Sequence, residues 1–129
     1  MYHKLTNPAI KAGADIRYAD AEYQKRLNKM GARAVTLGDV IIFREDATTS
    51  DVLEEVFHFW QNHRRKFSDY GHNEREVLCE IEAKQYLLSV TEKYHIPIIE
   101  KEETEEWLKK YQNQMKEMKE RGEWNEPNQ

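Results

Sequence analysis

Hydrophobic positions recur with helical spacing in four segments of the chain. In the most regular segment, the residues at i, i+3, i+4 and i+7 from Leu53 are all apolar, which is typical of an amphipathic helix. Helices are predicted over 18–30, 50–67, 74–94 and 102–121. Apolar residues surround most of the circumference of the third helix, so we expect it to be buried.

A period of two residues replaces the helical spacing between the first two helices. Two runs rich in apolar and β-branched residues flank the pair Gly38-Asp39, and this arrangement predicts a β-hairpin over 32–44. Alternation in the first run places Ala34 and Thr36 on one face of its strand. Because the second run is almost entirely apolar, we expect its strand to be buried on both faces.

The two ends of the chain lack a clear hydrophobic period. Residues 1–17 contain Pro8 and Gly13, and we expect an irregular arm there. We expect a flexible tail over 122–129, after the last helix. The length of 129 residues is typical of one domain. The predicted fold is therefore a single α+β domain over 18–121, mostly helical, with a hairpin before its second helix.

Composition narrows the classes of protein to which the chain can belong. The net charge of −4 argues against a nucleic-acid partner, because such proteins carry a basic surface. No apolar run reaches membrane-spanning length and the N-terminus lacks the apolar core of a secretory signal, so we expect no membrane partner and a cytoplasmic location. Cys79 is the single cysteine, so an intrachain disulfide cannot form, and we expect it to be a small buried side chain.

The strongest chemical signal is the sequence Glu54-Glu55-Val-Phe-His58 in the second predicted helix. It differs in its first residue from H-E-x-x-H, in which two histidines bind zinc and the glutamate is the general base. Glu54 and His58 lie one turn apart on one helix face, and both residue types bind zinc. Glu55 takes the position of the base. An exposed acid–histidine pair has the same spacing, so periodicity leaves a metal site and a solvated helix face both open.

A third metal ligand would have to come from another part of the chain. The third predicted helix offers Glu80 and Glu82, in the sequence Glu-Ile-Glu-Ala, and apolar residues flank both on the helical wheel. A carboxylate within an apolar surface is costly unless it is paired with a cation or bound to a metal. Lys84 is the nearest cation in sequence. These two acids are therefore the candidates for completing a metal site.

Two further patterns offer weaker alternatives. The sequence E-x-x-H occurs at 55–58 and again at 92–95, as in di-iron helical bundles, but a β-hairpin does not belong in such a bundle and His95 falls at a helix end. Tyr70 or His72 could assist in stabilising an oxyanion, although ordinary surface positions would explain both equally simply.

The order of these motifs resembles a known family. Residues 31–43, GARAVTLGDVIIF, followed by a loop and segment 53–61, are similar to the metallopeptidase domain in effectors and cargo proteins of bacterial contractile injection systems. In that domain a comparable hairpin leads into the H-E-x-x-H helix, which ends in a glutamine-containing stretch. Residues 14–30 resemble its opening helix. The later half resembles small phage-encoded and polymorphic-toxin zincins, in which E-x-x-A or E-x-E-A on a downstream helix completes the zinc site.

The resemblance covers residues 14–97 and implies a minimal zincin-like fold with metal-dependent peptidase activity. The site residues that it implies are the metal ligands Glu54, His58 and Glu80, with Glu82 as an alternative or supporting acid, and the catalytic base Glu55. The implied cofactor is zinc. A peptide or protein substrate would lie extended along the hairpin edge beside the metal helix. The family also implies a phage-associated or delivered bacterial protein.

Glu54 is the main departure from the family pattern, because a histidine usually occupies that position. Three outcomes stay open. Glu54 binds the metal and shifts its selectivity towards harder ions. Alternatively, the domain is an inactive peptidase that serves as a binding or structural module. In the third case Glu54 has a structural role and another residue binds the metal. The sequence does not indicate the substrate, the host process or the oligomeric state.

Overall fold

A computed structural model describes residues 3–127 of the chain. The elements in this range are α1 (His3–Lys11), β1 (Asp15–Tyr18), α2 (Ala21–Met30), β2 (Ala34–Leu37), β3 (Val40–Phe43), α3 (Thr49–His63), α4 (His72–Ser89) and α5 (Ile98–Glu120). The predicted fold class, mostly helical α+β with an early hairpin, is confirmed. The chain divides into two compact units, residues 1–64 and 65–129, so the unit boundary lies inside the range 18–121 that was predicted to be one domain.

The first unit contains a three-stranded sheet in the order β1-β3-β2. The hairpin predicted over 32–44 is confirmed as β2 and β3, which pair antiparallel, and Gly38 in its turn has a φ of +63° that glycine adopts without strain. β1 was not predicted, and it pairs parallel to β3 with Ile16 beside Ile41. Ile41 and Phe43 are buried while Val40 and Ile42 are half-buried, so only one face of β3 is fully covered, and not both as predicted.

The irregular arm predicted over 1–17 is wrong for the residues that the structure describes, because they form α1 and β1. Leu5 and Ala9 lie one turn apart on α1, and with Ala12 just after the helix they contribute to the core of the first unit. α1 packs against α3. This tertiary packing stabilises a short helix that contains Pro8, a residue that weakens helices in isolation.

A capping box begins α3 and orients the helix that carries the candidate metal ligands. The Thr48 side chain accepts a hydrogen bond from the Asp51 backbone N–H, and the Asp51 carboxylate accepts one from the Thr48 N–H at 2.8 Å. Arg33, just before β2, also donates through Nε to Asp51 at 2.7 Å. The first turn of α3 is therefore attached to the hairpin by a charge-assisted hydrogen bond.

The boundaries of the helices in the first unit differ from the predicted ones for local reasons. α3 was predicted to continue to Phe67, but it ends at His63. Arg65 and Phe67 adopt left-handed backbone conformations, with φ of +53° and +58°, which a right-handed helix cannot include. α2 begins at Ala21 rather than at Tyr18, because Tyr18 belongs to β1.

The second unit is built on α4 and α5, which pack against each other. α4 ends at Ser89 instead of continuing to residue 94, and α5 begins at Ile98 instead of residue 102. Cys79 is buried, as predicted. The other buried apolar residues of α4 are Val77, Ala83 and Leu87. No helix among the described residues is long and apolar enough to cross a membrane.

A flexible tail was predicted over 122–129; residues 122–127 form no helix or strand, and residues 128–129 lie outside the described range. Trp124 is buried, with 9% of its surface exposed, and its indole N–H donates to the Glu126 carboxylate at 3.1 Å. The hydroxyl of Tyr70 donates to the other oxygen of that carboxylate at 3.0 Å. Burial of the large indole and its hydrogen bond therefore pack this part of the segment against the second unit.

Candidate metal site

Glu54 and His58 lie one turn apart on α3, as their spacing predicted. Both side chains are half-buried, and one carboxylate oxygen of Glu54 is inaccessible to solvent. A simple exposed acid–histidine pair would leave both groups in water. This helix face is therefore not the fully solvated face that the sequence left open.

The side chain of Gln61 orients the imidazole of His58. Gln61 is buried, at 4% exposure, and its Oε1 lies 2.7 Å from His58 Nδ1. An amide oxygen is only an acceptor, so Nδ1 of the neutral ring is the donor and Nε2 keeps its lone pair. Metal-binding histidines commonly donate their other ring N–H to an acceptor of this kind. The contact therefore favours the tautomer of His58 in which Nδ1 carries the proton.

Glu80, on α4, completes a group of three potential ligands. Glu54, His58 and Glu80 each offer one ligand atom, and these three atoms lie within 4.8 Å of one another. The group combines one imidazole nitrogen with two carboxylate oxygens, and it could hold a metal ion. The donor set does not select one metal, because imidazole suits zinc while carboxylates also suit harder ions. The three residues named from the sequence as ligands are the members of this group.

Glu80 also has partners within the second unit. Lys84 Nζ lies 3.0 Å from Glu80 Oε2, and Lys84 is buried at 7% exposure. Burial, together with the neighbouring Glu80 carboxylate, raises the pKa of Tyr111 to about 12. The sequence argument identified Glu80 as an acid in need of a cation, and Lys84 supplies one. An ion pair with a buried lysine and a half-buried glutamate thus accounts for part of the environment of Glu80.

Glu82, the alternative ligand from the sequence, is not a member of the three-ligand group. Its Oε2 lies 3.2 Å from Lys66 Nζ, in an ion pair within the second unit. Glu80 and Glu82 are two residues apart on a helix, so their side chains point in different directions. Of the two acids, only Glu80 belongs to the described group that could hold a metal ion.

Glu55, the predicted base, is half-buried and contacts Thr36 of β2. Thr36 Oγ1 lies 3.0 Å from Glu55 Oε2 and 3.0 Å from the Glu55 backbone oxygen. The sequence argument did not assign Thr36 to the site. One feature of the sequence could have identified Thr36: it is a polar residue on the same strand face as Ala34. Ala34 packs against the core of the first unit.

The remaining sequence candidates have other surroundings. The second E-x-x-H sequence, at 92–95, lies in the turn after α4, so it lacks the helical geometry of a di-iron site. His72 is exposed, with Nε2 3.2 Å from Glu76. The hydroxyl of Tyr70 donates to Glu126, and this hydrogen bond is the main reason that the pKa of Tyr70 is raised.

Comparisons with known proteins identify no relative of this chain: no family model, curated protein or solved structure matches it. The function of the site must therefore be argued from its own residues.

Proposed function

We propose that this chain is a zincin-like, metal-dependent peptidase domain. Glu54, His58 and Glu80 would hold a divalent cation, and Glu55 would be the general base. The observation that carries the proposal is the approach of the three ligand atoms to within 4.8 Å. The hydrogen bond between His58 and Gln61 supports it, because metal-binding histidines commonly pair their other ring nitrogen with an acceptor of this kind. The motif order in the sequence supports the assignment to the zincin class.

The residues of the group fit a divalent cation chemically. Two half-buried carboxylates at this separation repel each other, and a dication would neutralise both. Zinc is the first candidate, because it accepts both imidazole nitrogen and carboxylate oxygen. With two carboxylates and one imidazole, Mn²⁺ is the natural competitor.

The reaction would depend on Glu55 and on the edge of the sheet. A bound divalent cation supplies Lewis acidity towards a peptide carbonyl and towards water. Glu55 would accept a proton from the attacking water as the water oxygen bonds to the carbonyl carbon. It would return that proton to the amine nitrogen as the C–N bond breaks. β2 lies at one edge of the sheet and packs against α3, so an extended peptide pairing with β2 would lie beside Glu55.

Metal analysis tests the ligand assignment. The full chain, purified without chelator and dialysed against zinc, should retain about one ion per chain. His58→Ala and Glu80→Gln should lose it, whereas the matched Glu82→Gln variant should keep it. Zinc absent from the wild-type protein after this treatment would contradict the proposal.

Peptidase activity tests the role of Glu55 separately. The zinc-loaded wild-type protein should cleave an unfolded protein such as casein, and Glu55→Gln should bind zinc normally but lose cleavage, because its amide cannot accept the proton. Equal cleavage by Glu55→Gln would remove Glu55 from the proposed mechanism.

The pair between Lys84 and Glu80 favours a second candidate function, a metal-free domain that serves as a binding or structural module. In that case the ammonium group of Lys84, 3.0 Å from the Glu80 carboxylate, compensates its charge without a metal ion. Such a protein would bind no zinc. Adding zinc would therefore leave the thermal stability of both the wild-type protein and His58→Ala unchanged. The metal analysis therefore decides between the two candidates.

A further inference from the structure

Thr36 connects the edge strand of the sheet with the residue proposed as the base. Its Oγ1 lies 3.0 Å from both the side-chain Oε2 and the backbone oxygen of Glu55. We propose that Thr36 is a positioning residue that holds the Glu55 carboxylate beside β2. This inference rests on the proposed function for its catalytic meaning, although the contact can be tested without catalysis.

The position of Thr36 in the sheet explains why its hydroxyl needs a partner. In the antiparallel register Thr36 lies opposite Ile41, and Ala34 lies opposite Phe43. Opposite residues share a face of the sheet, and both Ile41 and Phe43 are buried. Thr36 therefore faces the core side at the sheet edge, where an aliphatic residue would fit. A hydroxyl in such a position needs a hydrogen bond to offset the loss of water.

The Glu55 carboxylate is the stronger of the two acceptors. The hydroxyl of Thr36 has one proton to donate. Its Oγ1 lies equally far, at 3.0 Å, from the Oε2 and from the backbone oxygen of Glu55. The backbone oxygen of Glu55 lies in α3, where the helical ladder already supplies a donor. A charged carboxylate forms the shorter and stronger type of hydrogen bond. The hydroxyl would therefore hold Oε2 of the carboxylate.

This arrangement would couple the position of the base to the strand that a substrate would pair with. β2 is an edge strand of the sheet, and Thr36 belongs to it. A peptide aligned on β2 would thus meet a Glu55 carboxylate whose direction is set by the same strand. Fixed geometry of this kind lowers the entropic cost of bringing the reacting groups together.

A double-mutant cycle on the full chain without metal tests the contact. Thr36→Val removes the hydroxyl and retains the side-chain shape, and Glu55→Ala removes the carboxylate but not the backbone oxygen. In urea unfolding, Thr36→Val should change the unfolding equilibrium constant about tenfold more in the wild-type background than in Glu55→Ala. Thr36→Ser should retain the coupling. An equal effect of Thr36→Val in both backgrounds would overturn the positioning role.

Kinetics on the zinc-loaded chain test the consequence. Thr36→Val should lower kcat by about tenfold or more, with KM and zinc content near the wild-type values, and Thr36→Ser should restore kcat. Unchanged kcat in Thr36→Val would overturn the role of Thr36 alone. The double-mutant cycle could also show coupling between Thr36 and Glu55 in a chain that binds no zinc and cleaves no peptide. That result would overturn the proposed function, and with it the catalytic meaning of the contact.

Discussion

The amide oxygen of Gln61 lies 2.7 Å from Nδ1 of His58, and this contact determines which nitrogen of the imidazole can bind a metal. Both residues belong to α3 and are three positions apart, so the helix itself brings them together. Gln61 is buried, which protects the hydrogen bond from competition by water. The orientation of His58 is therefore a property of α3 and does not depend on a bound ion.

Replacing Gln61 by leucine should weaken zinc binding by about 10- to 100-fold, because Nδ1 loses the acceptor that fixes its tautomer and ring orientation. Gln61→Glu retains an acceptor at nearly the same place and should bind zinc at least as tightly as the wild-type chain. Competition with a chromophoric chelator would measure both dissociation constants. Equal affinity of the wild-type and Gln61→Leu chains would show that the contact has no role in metal binding.

Replacing Glu54 by histidine should shift the metal preference towards zinc, because an imidazole replaces one of two carboxylates. The measured quantity is the ratio of the dissociation constants for Mn²⁺ and Zn²⁺, which should increase in Glu54→His. Glu54→Gln is the control, since it removes the charge and should weaken binding of both ions. If Glu54 is not a ligand, its replacement by histidine would leave that ratio at the wild-type value.

The hairpin and the α3 ligand pair could be predicted because both depend on local sequence. Gly38 in the turn between two apolar runs indicates a tight hairpin without reference to the rest of the chain. The spacing of Glu54 and His58 places them on one face of any helix that contains them. Features of this kind are visible within a few residues of sequence.

The elements that were missed depend on contacts between distant parts of the chain. β1 exists because it pairs with β3, and Ile16 finds its partner Ile41 only in the folded sheet. α1 contains Pro8 and is stabilised by packing against α3. The role of Thr36 depends on its contact with α3, which strand alternation does not reveal. Local propensity cannot predict such elements, because tertiary packing stabilises them.

Glu80 shows a different limit of sequence analysis. An acid among apolar helix positions needs a cation, and this argument correctly selected Glu80 for attention. The same argument does not decide between a metal and a lysine. Glu80 belongs to the group that could hold a metal ion, and it also lies 3.0 Å from Lys84.

Replacing Lys84 by methionine should destabilise the metal-free chain by about 1–3 kcal/mol, because Glu80 loses a buried cationic partner. The lysine side chain is only 9% exposed, so water cannot replace it fully. Zinc should raise the melting temperature of Lys84→Met more than that of the wild-type chain, since the ion would compensate the same carboxylate. Thermal unfolding with zinc and with chelator measures both effects. Lys109→Met, at an exposed position of α5, is the control. If zinc raised the melting temperature of Lys84→Met and of the wild-type chain equally, Glu80 would not be a ligand of the metal.

The thiol of Cys79 should react slowly with iodoacetamide in the folded chain. Burial raises the pKa of this thiol above its ordinary value of 9.0, so the native state keeps the proton at pH values where the unfolded chain has lost it. The stability associated with the protonated thiol is present below the unfolded pKa and is lost as the pH rises through the folded pKa. At about pH 9, alkylation should therefore be much faster in urea than in buffer. Mass spectrometry measures the rates unambiguously, because the chain has one cysteine. Similar rates in urea and buffer would contradict the burial of Cys79.

Replacing Trp124 by alanine should destabilise the second unit by about 2–4 kcal/mol, because a buried indole is lost near the end of the chain. Trp124 is 9% exposed, its N–H donates to Glu126, and Lys119 Nζ lies 5.5 Å from the centre of its ring. Trp124→Phe keeps most of the apolar surface and should cost less than half as much. Urea unfolding followed by far-UV circular dichroism measures the difference. A flexible tail would tolerate both substitutions equally, so an unchanged unfolding midpoint in Trp124→Ala would contradict the packed position of this segment.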